Sequence, residues 1–162
     1  MSASKFENAA YKIIVDDLIE KCKQQELYSL HWVREAYVGK PNGKHGLVDL
    51  KVMYLNLRAG VISHTVNYEM KSGYSDLTNG RGLNFNADYN YVVYPRDSSR
   101  YIKTQNGNSM LTKEKISKWL DKRKGVHIGI ICIENDNSIT VERIARRKKG
   151  KPRKWVIHGT KF

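Results

Sequence analysis

The sequence predicts an α+β fold with an α/β-like core: a mixed β-sheet flanked by helices. Three observations point there. The chain opens with apolar residues at helical spacing. Several later runs are short, apolar and rich in β-branched and aromatic residues. A second helical segment falls between two of those runs rather than after them. The length of 162 residues suits one domain spanning 1–162, long enough to bury a core around a sheet.

Residues from about 5 to 26 form the first predicted helix. Phe6, Ala10, Ile14, Leu18 and Cys22 recur at i, i+4, and Ala9 and Ile13 widen the stripe. Residues 1–28 as a unit offer a subunit contact, although the same stripe must also cover the sheet. Leu30 to Val38 reads as a strand. Gly39 to Gly46 is a loop by its Gly and Pro content. Leu47 to Leu57 and Val61 to Lys71 read as a hairpin turning at Arg58-Ala59-Gly60.

Ser72 to Ala87 shows no period. Tyr89 to Tyr94 is a short strand stopped by Pro95, and Asp97 to Ser109 is a loop with a marginal strand. Thr112 caps a helix to about Lys124, with Leu111 and Ile116 at staple positions and Gly125 as its stop. Val126 to Glu134 and Ile139 to Ile144 are strands joined by a polar turn.

No apolar run approaches a membrane span, and the N-terminus lacks a signal-peptide core, so a cytoplasmic protein is expected. Cys22 and Cys132 lie far apart without a CxxC pair, which excludes a metal–thiolate site and favours buried free thiols. Lys and Arg total 29 against 16 acids, a formal charge of +13. Such an excess draws in polyanions, and by itself it suits a nucleic-acid partner, a ribosomal or membrane-surface role, or solubility alone.

The chemistry sits in the hairpin. On the second strand Asn67, Glu69 and Lys71 share one face, with Tyr68 and Met70 on the other. Asp49 interrupts the apolar run Leu47-Val48-Leu50, where an acid costs desolvation energy unless a cation or donors compensate. Asp49 and Glu69 lie about equally far from the turn, so antiparallel pairing brings them face to face. Two converging carboxylates invite a divalent cation. Oxygen ligands without paired histidines favour magnesium, with manganese as a substitute. Lys71 then stands where it can orient or deprotonate a water. The competing reading is a salt-bridged hairpin, because E-x-K triplets are common in strands.

Asp49, then Glu69-Met70-Lys71 on the next strand, resembles the PD-(D/E)xK nuclease superfamily. Within it, Tyr68-Glu69-Met70-Lys71-Ser72 followed by Asp76-Leu77-Thr78-Asn79-Gly80 is similar to the PvuII-like type II restriction endonucleases. Lys154 to Phe162 also resembles the C-terminal ending of that group. The resemblance implies a restriction-endonuclease-like fold and a magnesium-dependent enzyme from a prokaryotic, phage or mobile-element setting. It implies a homodimer that wraps double-stranded DNA and cuts both strands at a short sequence. A catalytic subunit of a heterodimer, nicking when alone, is the other assembly. Asp49 and Glu69 would hold the metal, with Lys71 as the third catalytic residue.

Base reading falls, by the same resemblance, to the stretch holding Arg81, Asn84 and Asn86, where the family carries a histidine cluster. That departure changes the expected target sequence. Lys148 and Lys149 take a DNA-facing position, joined by Lys151 in a basic run leading into apolar Trp155-Val156-Ile157. Lys40, Asn42, Lys44 and His45, just ahead of the Asp49 strand, suit a loop that orders around a duplex. His31, His64 and His127 sit in strand patterns as structural residues. Tyr89, Tyr91 and Tyr94 read as core and edge aromatics, with Tyr94 a further candidate near the site.

A second resemblance, to archaeal-type Holliday junction resolvases, covers an early helical glutamate, here Glu7, and the E-M-K-S strand. It lacks the C-terminal match. It implies a nuclease preferring branched DNA. A non-catalytic DNA-binding module is the third reading; it leaves Asp49 as a costly buried charge.

Overall fold

The computed structural model describes residues 4–37, 47–79, 87–103 and 110–147. The order is α1 (Lys5–Cys22), β1 (Tyr28–Tyr37), β2 (Leu47–Asn56), β3 (Val61–Met70), α2 (Tyr74–Thr78), β4 (Tyr89–Pro95), α3 (Lys113–Asp121), β5 (Gly129–Ile133) and β6 (Ile139–Arg143), with a 3-10 turn at Ser98–Arg100. The fold is α+β. One mixed sheet runs β1-β2-β3-β4-β5-β6. β1, β2 and β3 form an antiparallel meander, β3, β4 and β5 are parallel, and β6 returns antiparallel. Among the described residues no helix is long and apolar enough to cross a membrane.

Strand alternation gives the sheet two different faces. Leu50, Val52, Val66, Tyr68, Met70, Val93, Ile131 and Ile133 line the first and bury Phe6, Ala10, Ile14 and Val15 of α1. The apolar stripe of α1 packs on this face of the sheet. The second face is divided. Over β4 and β5 it is apolar: Val92, Tyr94, Ile130 and Cys132 pack under Leu77 of α2 and Ile116, Trp119 and Leu120 of α3. Over β2 and β3 it is polar, with Lys51, Thr65, Asn67 and Glu69 all buried.

Boundaries differ from the sequence reading in instructive places. α1 stops at Cys22 rather than near 26, because Lys23 to Gln25 turn back onto helix carbonyls and release the chain into β1 at Tyr28. The stretch read as aperiodic contains α2, a single short helix whose Leu77 is fully buried. Thr112 does cap α3, its hydroxyl accepting from the Lys115 N–H at 3.2 Å. That helix ends at Asp121, and the left-handed residue after it is Lys124 (φ 58°), not Gly125. Gly125 is needed for proximity instead: a Cβ there would lie 2.9 Å from the Leu120 carbonyl.

β5 begins at Gly129 rather than Val126. Val126 and His127 form a turn, and Val126 is exposed, so His127 is not a strand residue. Both cysteines are free thiols; Cys132 is buried and Cys22 half-buried.

Candidate functional site

The β2–β3 ladder sets the geometry. Leu50 pairs with Tyr68 and Lys51 with Asn67, so one step further along the ladder Asp49 comes opposite Glu69. A register shift between Tyr54 and Leu55 absorbs the odd residue of the turn, which keeps this alignment. β3 in turn is held by β4: Glu69 pairs with Val92, and the Lys71 N–H donates to the Val93 carbonyl at 2.8 Å. All three sequence-predicted catalytic residues thus lie at one end of adjoining central strands.

Their side chains meet. The Asp49 carboxylate accepts from the Met70 N–H at 2.7 Å and shares a hydrogen bond with the Glu69 carboxyl. Glu69 is 1% exposed and Lys71 4%. Burial raises the Asp49 carboxyl above its ordinary range, with Asp76 adding to the rise; the Met70 N–H, Lys71 and Glu69 pull it back. Two carboxyls in contact, one buried and one half-buried, ionise together only where positive charge offsets them; Lys71 supplies part of it, and a shared proton or a cation would supply the rest.

Further acids surround the pair, the first of them the Glu7 on which the junction-resolvase resemblance rested. Glu7 projects from the first turn of α1, where Ser4 caps the helix by accepting the Glu7 N–H at 3.1 Å. Its carboxyl is pushed up to about 7 by burial and by the charges of Asp49, Asp76 and Glu35. Arg34 fixes this end of α1 to β1, donating to Asn8 at 2.7 Å and lying over the Tyr11 ring.

Glu35 lies, unpaired in the ladder, between the paired residues Arg34 and Ala36 at φ 48°, and its charge acts on Glu7. A glutamate in the left-handed region costs about 1–2 kcal/mol, so the surrounding structure holds a strained residue beside the acids.

Asp76, on α2, spans the turn after β3. One oxygen accepts from the Ser72 N–H at 3.1 Å, and the other lies 3.9 Å from the Lys71 ammonium. Asp76 therefore restrains both the backbone leaving β3 and the side chain of Lys71. The DLTNG stretch already contained this aspartate, but α2 was not legible, so its reach back to Lys71 was not either. Lys51 was likewise missed, although alternation from Asp49 puts it on the same face. It donates to Asn67 at 3.2 Å and burial draws it down to about 8.

Other expectations fare differently. Tyr94 is directed away from this centre; its hydroxyl bonds Glu142 of β6. Lys40, Asn42, Lys44, His45, Arg81, Asn84, Asn86, Lys148, Lys149 and Lys151 lie outside the described residues, as does Lys154 to Phe162.

Among the described residues no group of three or more His, Cys, Asp and Glu side chains is arranged to hold a metal. The carboxyls in contact here are two, those of Asp49 and Glu69. Magnesium commonly binds through one or two carboxylates and completes its shell with water, so these residues fit it. No protein-family model matches the chain, and no curated protein matches it.

Proposed function

We propose that this chain is a magnesium-dependent DNA endonuclease of the PD-(D/E)xK type, acting as a type II restriction enzyme. One observation carries the reading: the β2–β3 ladder sets the Asp49 and Glu69 carboxyls in contact at the strand end that bears Lys71. The formal charge of +13 supports a polyanionic substrate. So does the meander followed by parallel strands, which gives Asp49 and Glu69-Met70-Lys71 the adjacent central strands such an enzyme requires.

The residues divide the work. Asp49 and Glu69 would hold magnesium or, as a substitute, manganese. When bound, the ion supplies Lewis-acid activation and charge neutralisation for phosphodiester hydrolysis. Lys71, as an ammonium, orients the attacking water, and its charge stabilises the developing negative phosphate oxygens. Asp76 keeps the Lys71 ammonium in place through its 3.9 Å ion pair. The Met70 N–H holds the Asp49 carboxylate in one orientation. The reading carries with it a cytoplasmic enzyme in a prokaryotic, phage or mobile-element setting. It works as a homodimer, or as the catalytic subunit of a heterodimer.

A second reading draws on Glu7, whose carboxyl belongs to the same electrostatic cluster as Asp49. An early helical glutamate suits a junction-resolving or repair nuclease of the same superfamily. One experiment tests both. The protein and a Lys71→Met variant are incubated with magnesium and either unmethylated phage DNA or a synthetic four-way junction. Products are run on native and denaturing gels. Discrete duplex fragments from the wild type alone support the restriction enzyme, and nicks point to a missing subunit. Cutting confined to the junction moves the assignment to the resolvase. No cleavage with magnesium or manganese refutes both.

A further inference from the structure

A second feature lies behind α2. Between α2 and α3 runs a cavity of about 630 Å³, lined by Tyr74, Thr78, Lys115, Lys118, Trp119, Lys122 and Arg123. Four of these seven residues are cations and none is an acid. α3 also carries Glu114 and Asp121. Neither lines the cavity, and Asp121 is bound to Arg143 at 3.0 Å. Among the described residues none of the four lining cations has a carboxylate within salt-bridge distance. Such an accumulation gives the cavity a positive potential that favours an anion.

The cavity is also preorganised. Lys115 donates to the Met110 carbonyl at 2.9 Å and faces the Tyr74 ring. The Arg123 guanidinium lies 4.0 Å over the Trp119 ring and donates to the Trp119 carbonyl. Arg143 ties down the end of α3, donating to the Ile128 and Gly125 carbonyls at 2.8 Å each. Lys118 and Lys122 remain exposed. The Tyr74 ring, 39% exposed, provides a flat face beside them. Cations that track a backbone beside an aromatic on which a base can stack are the parts of a strand-binding groove.

The position links it to the site already described. α2 is the wall between them: Asp76 reaches from it to Lys71, while Tyr74 and Thr78 of the same helix line the cavity. We infer that the α2–α3 cavity binds the phosphodiester backbone of one DNA strand as it leaves the catalytic end. Lys118 and Lys122 contact phosphates, and Tyr74 packs against a base or sugar. The inference rests on DNA as the ligand, not on turnover.

The test is fluorescence anisotropy of a labelled single strand and its duplex, in chelator, at salt from about 50 to 200 mM. Three proteins are compared: wild type, Lys118→Ala/Lys122→Ala, and Lys12→Ala/Lys113→Ala. The last removes the same charge from exposed positions outside the cavity. Each lost phosphate contact should lower the slope of log affinity against log salt by about 0.9 for duplex and 0.7 for single strand. Two contacts predict a slope flatter by about 1.8 for duplex. Wild-type affinity should then fall about twelvefold more than that of the cavity variant over this fourfold salt range. The control pair should keep the wild-type slope.

Equal slopes in wild type and cavity variant, or equal losses in both variants, would overturn the inference. So would a wild type that binds neither probe. Circular dichroism on both variants separates these results from misfolding, and Lys118→Arg/Lys122→Arg should restore the slope. Because no metal is present, a protein that binds through the cavity but never cuts would refute the nuclease reading alone. A protein that cuts while showing unchanged slopes would refute this inference alone.

Discussion

The acid cluster should make the metal-free protein less stable as pH rises, and Glu7 isolates that effect. Its carboxyl moves from an ordinary 4.5 to about 7 in the fold. A raised acid pKa means the folded state binds the proton more tightly than the unfolded one. The stabilisation is complete below about 4.5 and is lost as pH climbs through about 7. The full shift corresponds to a ceiling of about 3 kcal/mol at 1.36 kcal/mol per unit. Glu7 is only half-buried, so solvent screening reduces this to about 1–2 kcal/mol.

The perturbation is Glu7→Gln, and the assay is urea unfolding in chelator between pH 5 and 8. The variant should match wild type near pH 5 and exceed it by about 1–2 kcal/mol at pH 8, a midpoint shift of about 0.5–1 M. Comparing the two proteins removes the opposing titration of Lys51, which both share. Magnesium should narrow the gap at pH 8 by offsetting the same repulsion. A difference independent of pH, or a variant less stable throughout, would refute the electrostatic account and leave Glu7 a packing residue.

Asp49→Asn keeps an oxygen acceptor for the Met70 N–H but removes a half-buried charge set against Glu69. Thermal unfolding in chelator should rise at neutral pH, and the added stability that magnesium gives wild type should vanish. Asp76→Asn weakens the hold on Lys71 while leaving an acceptor for Ser72. Single-turnover cleavage should slow by about tenfold to a hundredfold, with DNA binding in chelator unchanged. Gly129→Ala puts a Cβ 2.3 Å from the Tyr91 ring and 2.7 Å from the Ala145 nitrogen. Chemical denaturation should show a loss of about 2–3 kcal/mol, because Tyr91 is itself stacked on Tyr68 and cannot retreat cheaply.

What the sequence made legible follows from periodicity. The hairpin was readable because two alternating runs flank one turn, and counting outward from Gly60 aligned Asp49 with Glu69. That count ignored the register shift at Tyr54/Leu55, yet the shift absorbs a single residue close to the turn and leaves the distant pairs aligned. α2 was not legible because five residues with one buried side chain, Leu77, show no period at all. The strand predicted from Val126 failed for a related reason: Val126 and His127 have strand-like composition, but Gly125 and Arg143 hold them in a turn. Acids brought in by tertiary packing, Glu7 from α1 and Glu35 from the edge strand, carry no local signal of their neighbours.

The placement of both sites has one physical origin. A central sheet between helices buries both faces, and α1 covers the first face with an uninterrupted apolar stripe. On the second face α3 covers only β4 and β5, whose alternate residues Val92, Tyr94, Ile130 and Cys132 are apolar. β2 and β3 turn Asp49, Lys51, Thr65, Asn67 and Glu69 to that same side, where a helix with an apolar face would bury groups it could not satisfy. The boundary between the two halves falls at β3–β4, where Glu69 pairs with Val92. α2 stands at that boundary, with Leu77 in the apolar cluster and Asp76 turned to Lys71. A strand crossing from the acids to the lysines of α3 must pass this helix. Shortening or unwinding α2 should therefore disturb Lys71 and the cavity together, whereas the Lys118 and Lys122 substitutions act on the cavity alone.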